Sequence, residues 1–192
     1  MRIACLAAAS VLALAAVPAF AAPVPPAAAV RQDVTDADLA RYAAAEEGVR
    51  PIAAQLNGAA PTAEQQAAMV AAIEGAGLTL DRFNAISQAV QAGDQVLAAR
   101  LAVARAPASP AGSVGAAATD AELGQFAAAM AAVRPIAEQL NGAAPTAEQQ
   151  AAMAEAIASS GLALERFNAV SSALPADPRL QARVALAAAR DD

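Results

Sequence analysis

From Gln55 to Met69 the chain reads QLNGAAPTAEQQAAM, and from Gln139 to Met153 it reads QLNGAAPTAEQQAAM again. Working outward from these runs, residues 35–92 align with 119–176 at a constant offset of 84, with about two-thirds of the positions identical. Self-similarity of this length marks a tandem duplication. Past Ala92 the offset becomes 83, since Asp94 and Arg100 match Asp177 and Arg183. The missing residue therefore falls in a turn.

Each run contains the end of one helix and the start of another. Asn57-Gly58 and Asn141-Gly142 are stop signals, because both residue types tolerate the left-handed conformation that closes a helix. Thr62 with Gln65, and Thr146 with Gln149, form T-x-x-Q capping boxes that open the next helix. Upstream, Thr35 with Asp38 and Thr119 with Glu122 open the first helix of each copy in the same way, and Val34 is placed to staple onto Leu39. The apolar positions Leu123, Phe126, Met130, Val133, Ala137 and Leu140 then step by three and four along one helical face. In the first copy Glu46 replaces Met130. Pro51 and Pro135 interrupt this helix and predict a kink, since an interior proline removes a hydrogen bond and clashes with the preceding turn.

The second helix ends at Gly77 or Gly161. A third starts at Thr79, with Leu78 and Phe83 in staple positions, and buries Leu80, Phe83, Ile86 and Val90; its counterparts are Leu164, Phe167, Val170 and Leu174. Ala163 stands where Thr79 caps the first copy. A fourth helix follows Asp94 and, in the second copy, Asp177-Pro178, an N-cap with proline at the first helical position. No segment alternates with period two over a strand's length. The expected fold is all-α: two tandem small helical bundles of three to four short helices each, behind a signal peptide.

The export signal rests on Arg2, the apolar run from Ile3 to about Val17, Pro18 and the triplet Ala19-Phe20-Ala21, which supply a charged start, a hydrophobic stretch and a small-residue cleavage site. That stretch falls short of the ~20 residues a spanning helix needs. Cys5 lies at its beginning, whereas a lipid-modified cysteine would follow it. The expected layout is therefore signal peptide 1–21, a disordered Pro/Ala-rich tail 22–33, repeat 1 over 34–105, a flexible linker of Ala, Pro, Ser and Gly over 106–117, and repeat 2 over 118–190. Val114 is the linker's one large apolar residue.

Removing residues 1–21 leaves a chain with no Cys, His, Trp or Lys, in which every positive charge is arginine. A Cys/His zinc site, a Ser-His-Asp or Cys-His pair and a lysine Schiff base all become impossible. Carboxylates, Tyr42 and serines are what remains for chemistry. The pair Glu46-Glu47 is absent from the second copy, which has Met130 and Ala131, and it lacks calcium-loop spacing. No catalytic residue, metal site or cofactor is expected. With a net charge of −6 and no basic cluster in the sequence, the chain should repel a phosphate backbone, so no nucleic-acid partner is expected.

The most distinctive motif is GLTLDRFNAIS from Gly77 to Ser87, repeated as GLALERFNAVS from Gly161 to Ser171. Asn84 and Asn168 each follow the ring in mid-helix, where the expected role is a buried or bridging amide that sets helix register. Arg82 and Arg166 are expected to be solvated or locally paired. Arg50 and Arg134 precede the prolines, where pairing with an acidic group or the freed carbonyl is expected, with a bound anion as the sharper alternative.

With a T-D-x-[DE]-L opening (Thr35, Asp36, Leu39; Thr119, Asp120, Leu123) and a G-L-[ST]-x-[DE]-x-[FY]-N-x-[IV] ending (Gly77, Leu78, Phe83, Asn84; Gly161, Leu162, Phe167, Asn168), from which the second copy departs by Ala163 in place of Ser or Thr, each copy resembles bacterial exported proteins of the domain of unknown function 4168 family. The resemblance implies a helical fold and export, and implies no activity.

The function expected from these features is that of a non-enzymatic exported interaction module, periplasmic or secreted. Its partner is an unknown protein or a second copy of itself, and the mature form has no integral membrane anchor. The alternative is a periplasmic holdase chaperone, to which the T-x-x-Q helix starts are similar. The secreted form should begin at Ala22. Intact-mass measurement of the exported protein checks this, and a retained 1–21 segment or a lipid on Cys5 would overturn the export reading.

Overall fold

The computed structural model describes residues 34–56, 58–140 and 143–191. The signal peptide, the tail 22–33, and Asn57, Asn141 and Gly142 of the expected helix stops lie outside the described residues. Among the described residues the fold is all-α, nine helices and a short 3-10 turn with no strand. The first copy forms α1 (Asp36–Gln55), α2 (Ala63–Gly75), α3 (Leu80–Gln91) and α4 (Gln95–Arg105). A short α5 (Val114–Ala117) follows, then α6 (Asp120–Gln139), α7 (Ala147–Ser159), α8 (Leu164–Ala173), the 3-10 turn Leu174–Ala176 and α9 (Pro178–Asp191).

The helix starts follow the local chemistry. Thr35, Thr62, Thr119 and Thr146 all close complete capping boxes, each hydroxyl accepting from the N3 backbone while the N3 side chain accepts from the cap's own N–H. Thr79 caps α3 by accepting from Arg82 N–H, whereas Ala163 leaves α8 without a side-chain cap. Such a loss typically costs about 1 kcal/mol. Gly77 and Gly161 sit just past α2 and α7 with φ of +82°, the left-handed turn that a side chain would strain.

The prolines of α1 and α6 lie inside their helices, and one expectation about α6 requires correction. Both helices run through their prolines to Gln55 and Gln139. Pro51 and Pro135 stand on the exposed side, as do Glu47 and Ala131 four residues earlier, so water can satisfy the carbonyls the prolines leave unbonded. The buried surface of α6 departs from the single stripe expected. Met130 is 40% exposed and Ala137 is exposed, while Ala127 and Ala129 are buried. The reason is that α6 lies between two neighbours, α7 and α9, so it needs small residues on two sides.

The helices pack as a row that reads the same from either end: α2, α1, α4, α9, α6, α7, with α3 and α8 across the joins. Each copy has its own core. Leu39, Tyr42, Ile86 and Leu101 anchor the first, and Leu123, Phe126, Val170 and Leu180 the second. Tyr42 stacks on Phe83 with ring centroids 4.8 Å apart, and Phe126 meets Phe167 at 5.0 Å. The inner rings are the buried ones, Phe126 at 1% exposure, while Phe83 and Phe167 are only half-buried. Leu164, expected in the core, is 50% exposed.

The segment 106–117, expected to be a flexible linker, is folded onto the second copy. Ser113 caps α5, Val114 packs against the second core, and Gly115 is buried. Arg183 donates to the carbonyls of Gly115 (3.1 Å) and Ala118 (2.9 Å), and Ser109 Oγ donates to Asp177 (3.0 Å). A Cβ on Gly115 would overlap the Asp177 carboxylate, so only glycine permits this approach. Composition alone hid this order because the groups that hold the segment, Asp177 just before α9 and Arg183 on it, are more than sixty residues away.

Because α4 and α9 join the two cores, unfolding should be one cooperative transition. Phe126→Ala should lower it by about 3–5 kcal/mol, the usual cost of truncating a buried phenylalanine, and Phe83→Ala by less. Thermal unfolding of each variant, followed by helical circular dichroism, checks this. Two separated transitions, with only one shifted, would show that the copies melt independently.

Candidate functional site

The repeated motif divides into packing and surface. Leu78 and Leu162 are buried, and Phe83 and Phe167 complete the ring pairs. Asn84 and Asn168 are exposed and make no hydrogen bond among the described residues, against the expectation of a buried bridging amide. The physical reason is that α3 buries one face, carrying Phe83, Ile86, Ala89 and Val90, and position 84 falls off it. Arg82 and Arg166 act over a longer range than expected. Arg82 reaches Asp38 of α1 at 2.8 Å, and Arg166 reaches Glu122 of α6 at 3.0 Å. Each thereby ties a third helix to the capping box that starts the first. Arg50 and Arg134 are exposed.

A concave feature among the described residues lies where the copies meet. A cleft of about 470 Å³ opens between α4 and α9 and the starts of α1 and α6, lined by Asp36, Ala40, Arg100, Val103, Ala104, Asp120, Arg179, Arg183, Leu186 and Arg190. Its two halves repeat each other. Arg100 pairs with Asp36 at 2.7 Å and donates to the Val34 carbonyl at 2.9 Å; Arg183 pairs with Asp120 at 2.7 Å and donates to the Ala118 carbonyl at 2.9 Å. Onto this shared pattern the second copy adds two arginines. Arg179 donates through Nη1 to the carbonyls of Val103 (3.4 Å) and Ala106 (3.2 Å) at the end of α4. Arg190, in the last turn of α9, is exposed.

This cluster was absent from the sequence reading, which found no basic cluster. A signal was present: Arg179, Arg183 and Arg190 are spaced by four and seven residues, which places all three on one face of a helix. Arg100 joins them only through the docking of α4 on α9.

Electrostatics follow from these contacts. The hydrogen bond from Arg183 holds the Asp120 carboxyl below its ordinary range, a modest burial penalty opposing it. At Asp38 burial pushes the carboxyl up, but the hydrogen bonds from Arg82 and Thr35 outweigh it and the net shift is downward. The backbone N–H of Thr119, then Arg166, lower Glu122. Asp177, buried at 5% exposure, is lowered first by the backbone N–H of Leu180, which it caps at 2.9 Å. Tyr42 moves the other way: burial pushes its hydroxyl up, and it shares a 2.9 Å hydrogen bond with Ser87. A neutral, buried phenol is poorly placed for nucleophilic work.

Among the described residues no three acidic, His or Cys side chains gather as a metal site, and no helix is long and apolar enough to cross a membrane. Comparison with family models, curated proteins and solved structures returns no match for this chain.

Five carboxyls, Asp38, Glu64, Asp120, Glu122 and Asp177, have folded pKa values below their unfolded ones. Their contribution is therefore present above the ordinary carboxylate range near pH ~4 and is lost as pH falls through the depressed folded values. Urea midpoints measured from pH 6 down to pH 3 should fall, and Asp120→Asn should flatten part of that fall. An Asp120→Asn variant with the full acid dependence of the parent would show that the Arg183 pair contributes nothing to folding.

Proposed function

We propose that the protein is an exported, non-enzymatic interaction module that presents one surface twice along one row of packed helices. The observation that carries this reading is where the copies are identical. The unchanged run is surface through its middle, between the buried Leu56 and Met69 of the first copy: over residues 58–68, Pro61 and Gln65 are half-buried and the others exposed, and over 143–152 only Pro145 and Gln149 are half-buried. Core positions are mostly kept as well, as in Leu39 with Leu123 and Leu78 with Leu162, but they admit swaps such as Tyr42 against Phe126 and Ile86 against Val170. Packing tolerates such swaps of apolar side chains. Identity that lies on the surface calls for a different account, and a repeated contact with a partner supplies one.

Geometry adds support. The repeated surfaces lie on α2 and α7, at opposite ends of the helix row, so two copies of a partner, or two sites on one partner, have room to engage together. The partner is a protein or a second copy of this chain. Residues 1–21 and the motifs shared with exported helical proteins of unknown function support placement outside the cytoplasm. The holdase alternative draws less support. Thr62 and Gln65, like Thr146 and Gln149, spend their side chains on each other in capping boxes, and Met130 and Leu164 are the large apolar residues exposed among those described.

Glu64 and Glu148 stand exposed in the first turns of these helices and offer a direct test. Reversing both charges, Glu64→Arg with Glu148→Arg, should abolish the cross-linked species formed by the protein in cells while leaving its helical signal intact, and either change alone should do less. An unchanged cross-linking pattern in the double variant would overturn the proposal.

A further inference from the structure

We propose that the cleft between α4 and α9 binds a small organic oxyanion carrying two negative charges, a phosphomonoester or a short dicarboxylate, with Arg190 as its principal contact. This goes beyond the interaction reading and does not depend on it, since it concerns a small ligand in a different part of the molecule.

Charge is the first argument. The cleft lining holds four guanidinium groups against the carboxylates of Asp36 and Asp120, leaving two positive charges in excess, although the chain as a whole carries −6. Like charges gathered around one concavity repel, and the concavity focuses their field. An anion that enters relieves the repulsion. Two negative charges would neutralise the excess.

The donors left over are the second argument. Among the described residues Arg100 engages its partners through Nε and Nη2, so its Nη1 remains. Arg179 engages through Nη1, so its Nε and Nη2 remain. Arg190 makes no hydrogen bond or ion pair to any described residue. Guanidinium groups match carboxylate and phosphate oxygens in pairs, which is why they serve such ligands better than an ammonium does.

Asymmetry between the copies is the third. Arg100 and Arg183 occupy matching positions and serve the fold in both copies. Arg190, however, corresponds to Pro107 in the first copy, and Arg179 to Val96. Arg179 has structural work at the end of α4. Arg190 has none that the first copy, built on the same plan, requires. Its charge complements the carbonyl end of α9 and acts through space on Asp120, but it forms no hydrogen bond to a described residue and borders the cleft.

Size and lining narrow the ligand. A volume of about 470 Å³ exceeds what a bare inorganic ion fills and falls within the range of small-molecule sites. Val103 and Leu186 supply apolar surface beside the charges, suited to a short carbon body. The module would thus take an anionic metabolite-sized molecule rather than a simple ion.

Isothermal titration of the purified protein with glycerol 3-phosphate and, separately, with succinate tests this, with glycerol and sodium chloride as controls at matched ionic strength. At least one of the two dianions should bind saturably, and the arm that saturates identifies the class. Arg190→Gln should weaken that binding about tenfold or more, the loss expected for one charge-assisted hydrogen bond. Arg134→Gln, an exposed arginine outside the cleft, should leave it unchanged. Position 190 is exposed in a final turn, so the variant should keep the parent's helical signal. Failure of both dianions to saturate, or equal binding by a folded Arg190→Gln variant, would overturn the proposal.

Discussion

The carbonyl of Val103 lacks the donor that a continuing helix would give it, because the residue four positions on is Pro107, which has no N–H. The guanidinium of Arg179, on α9 of the other copy, supplies that donor and takes the Ala106 carbonyl as well. Unbonded carbonyls at a helix C-terminus carry partial negative charge, so a cation there is favourable on two counts. Around this contact Ala102, Arg105 and Ala106 of the α4 end and Pro178, Gln181, Ala182 and Ala185 of α9 line a shallow groove along the seam where the two helices meet. Small side chains let the helices approach closely. The row of helices, the cleft beside it and the ordering of residues 106–117 all depend on that seam.

Close approach also explains how so alanine-rich a chain holds a fold. With two rings per copy, neither core is large. Alanine contributes helix propensity but little buried area. What each core lacks in bulk is met partly by the neighbouring copy, since α4 and α9 each have a second helix to pack against. Arginine completes the arrangement. Arg82, Arg100, Arg166 and Arg183 each bind a carboxylate on the first turn of a first helix, and that carboxylate complements the helix dipole there. Half-exposed pairs of this kind are worth about 0–1 kcal/mol apiece, so their value lies in fixing which helix end meets which.

Most of the helix boundaries were legible in the sequence because caps are local. Thr35, Thr62, Thr119 and Thr146 sit three residues from the groups they bond, and Gly77 and Gly161 need only their own φ. What escaped was decided at long range. Asn84 looked buried because Phe83 beside it was apolar, yet a helix that buries one face separates adjacent residues by about 100°. Met130 fitted a three-and-four spacing, but α6 packs on two sides and alanines fill them. Residues 106–117 looked like a linker because their composition cannot build a core. They do not need to, since Val114 borrows the second copy's core while Arg179 and Arg183 donate to the carbonyls of Ala106 and Gly115.

The cleft was the hardest feature to foresee, and the reason is instructive about duplicated chains. In either copy alone, Arg100 or Arg183 is a structural residue whose contacts end on its own first helix. Docking sets the two patterns face to face, and two ordinary ion pairs become opposite walls of one concavity. The departures from the repeat then acquire meaning that the repeated residues lack. Arg179 and Arg190 have no arginine counterpart in the first copy. One of them closes the seam between the copies, and the other adds charge where the seam leaves an opening. A duplicated fold supplies the walls from shared positions, and the specificity of the space between them comes from the positions that differ.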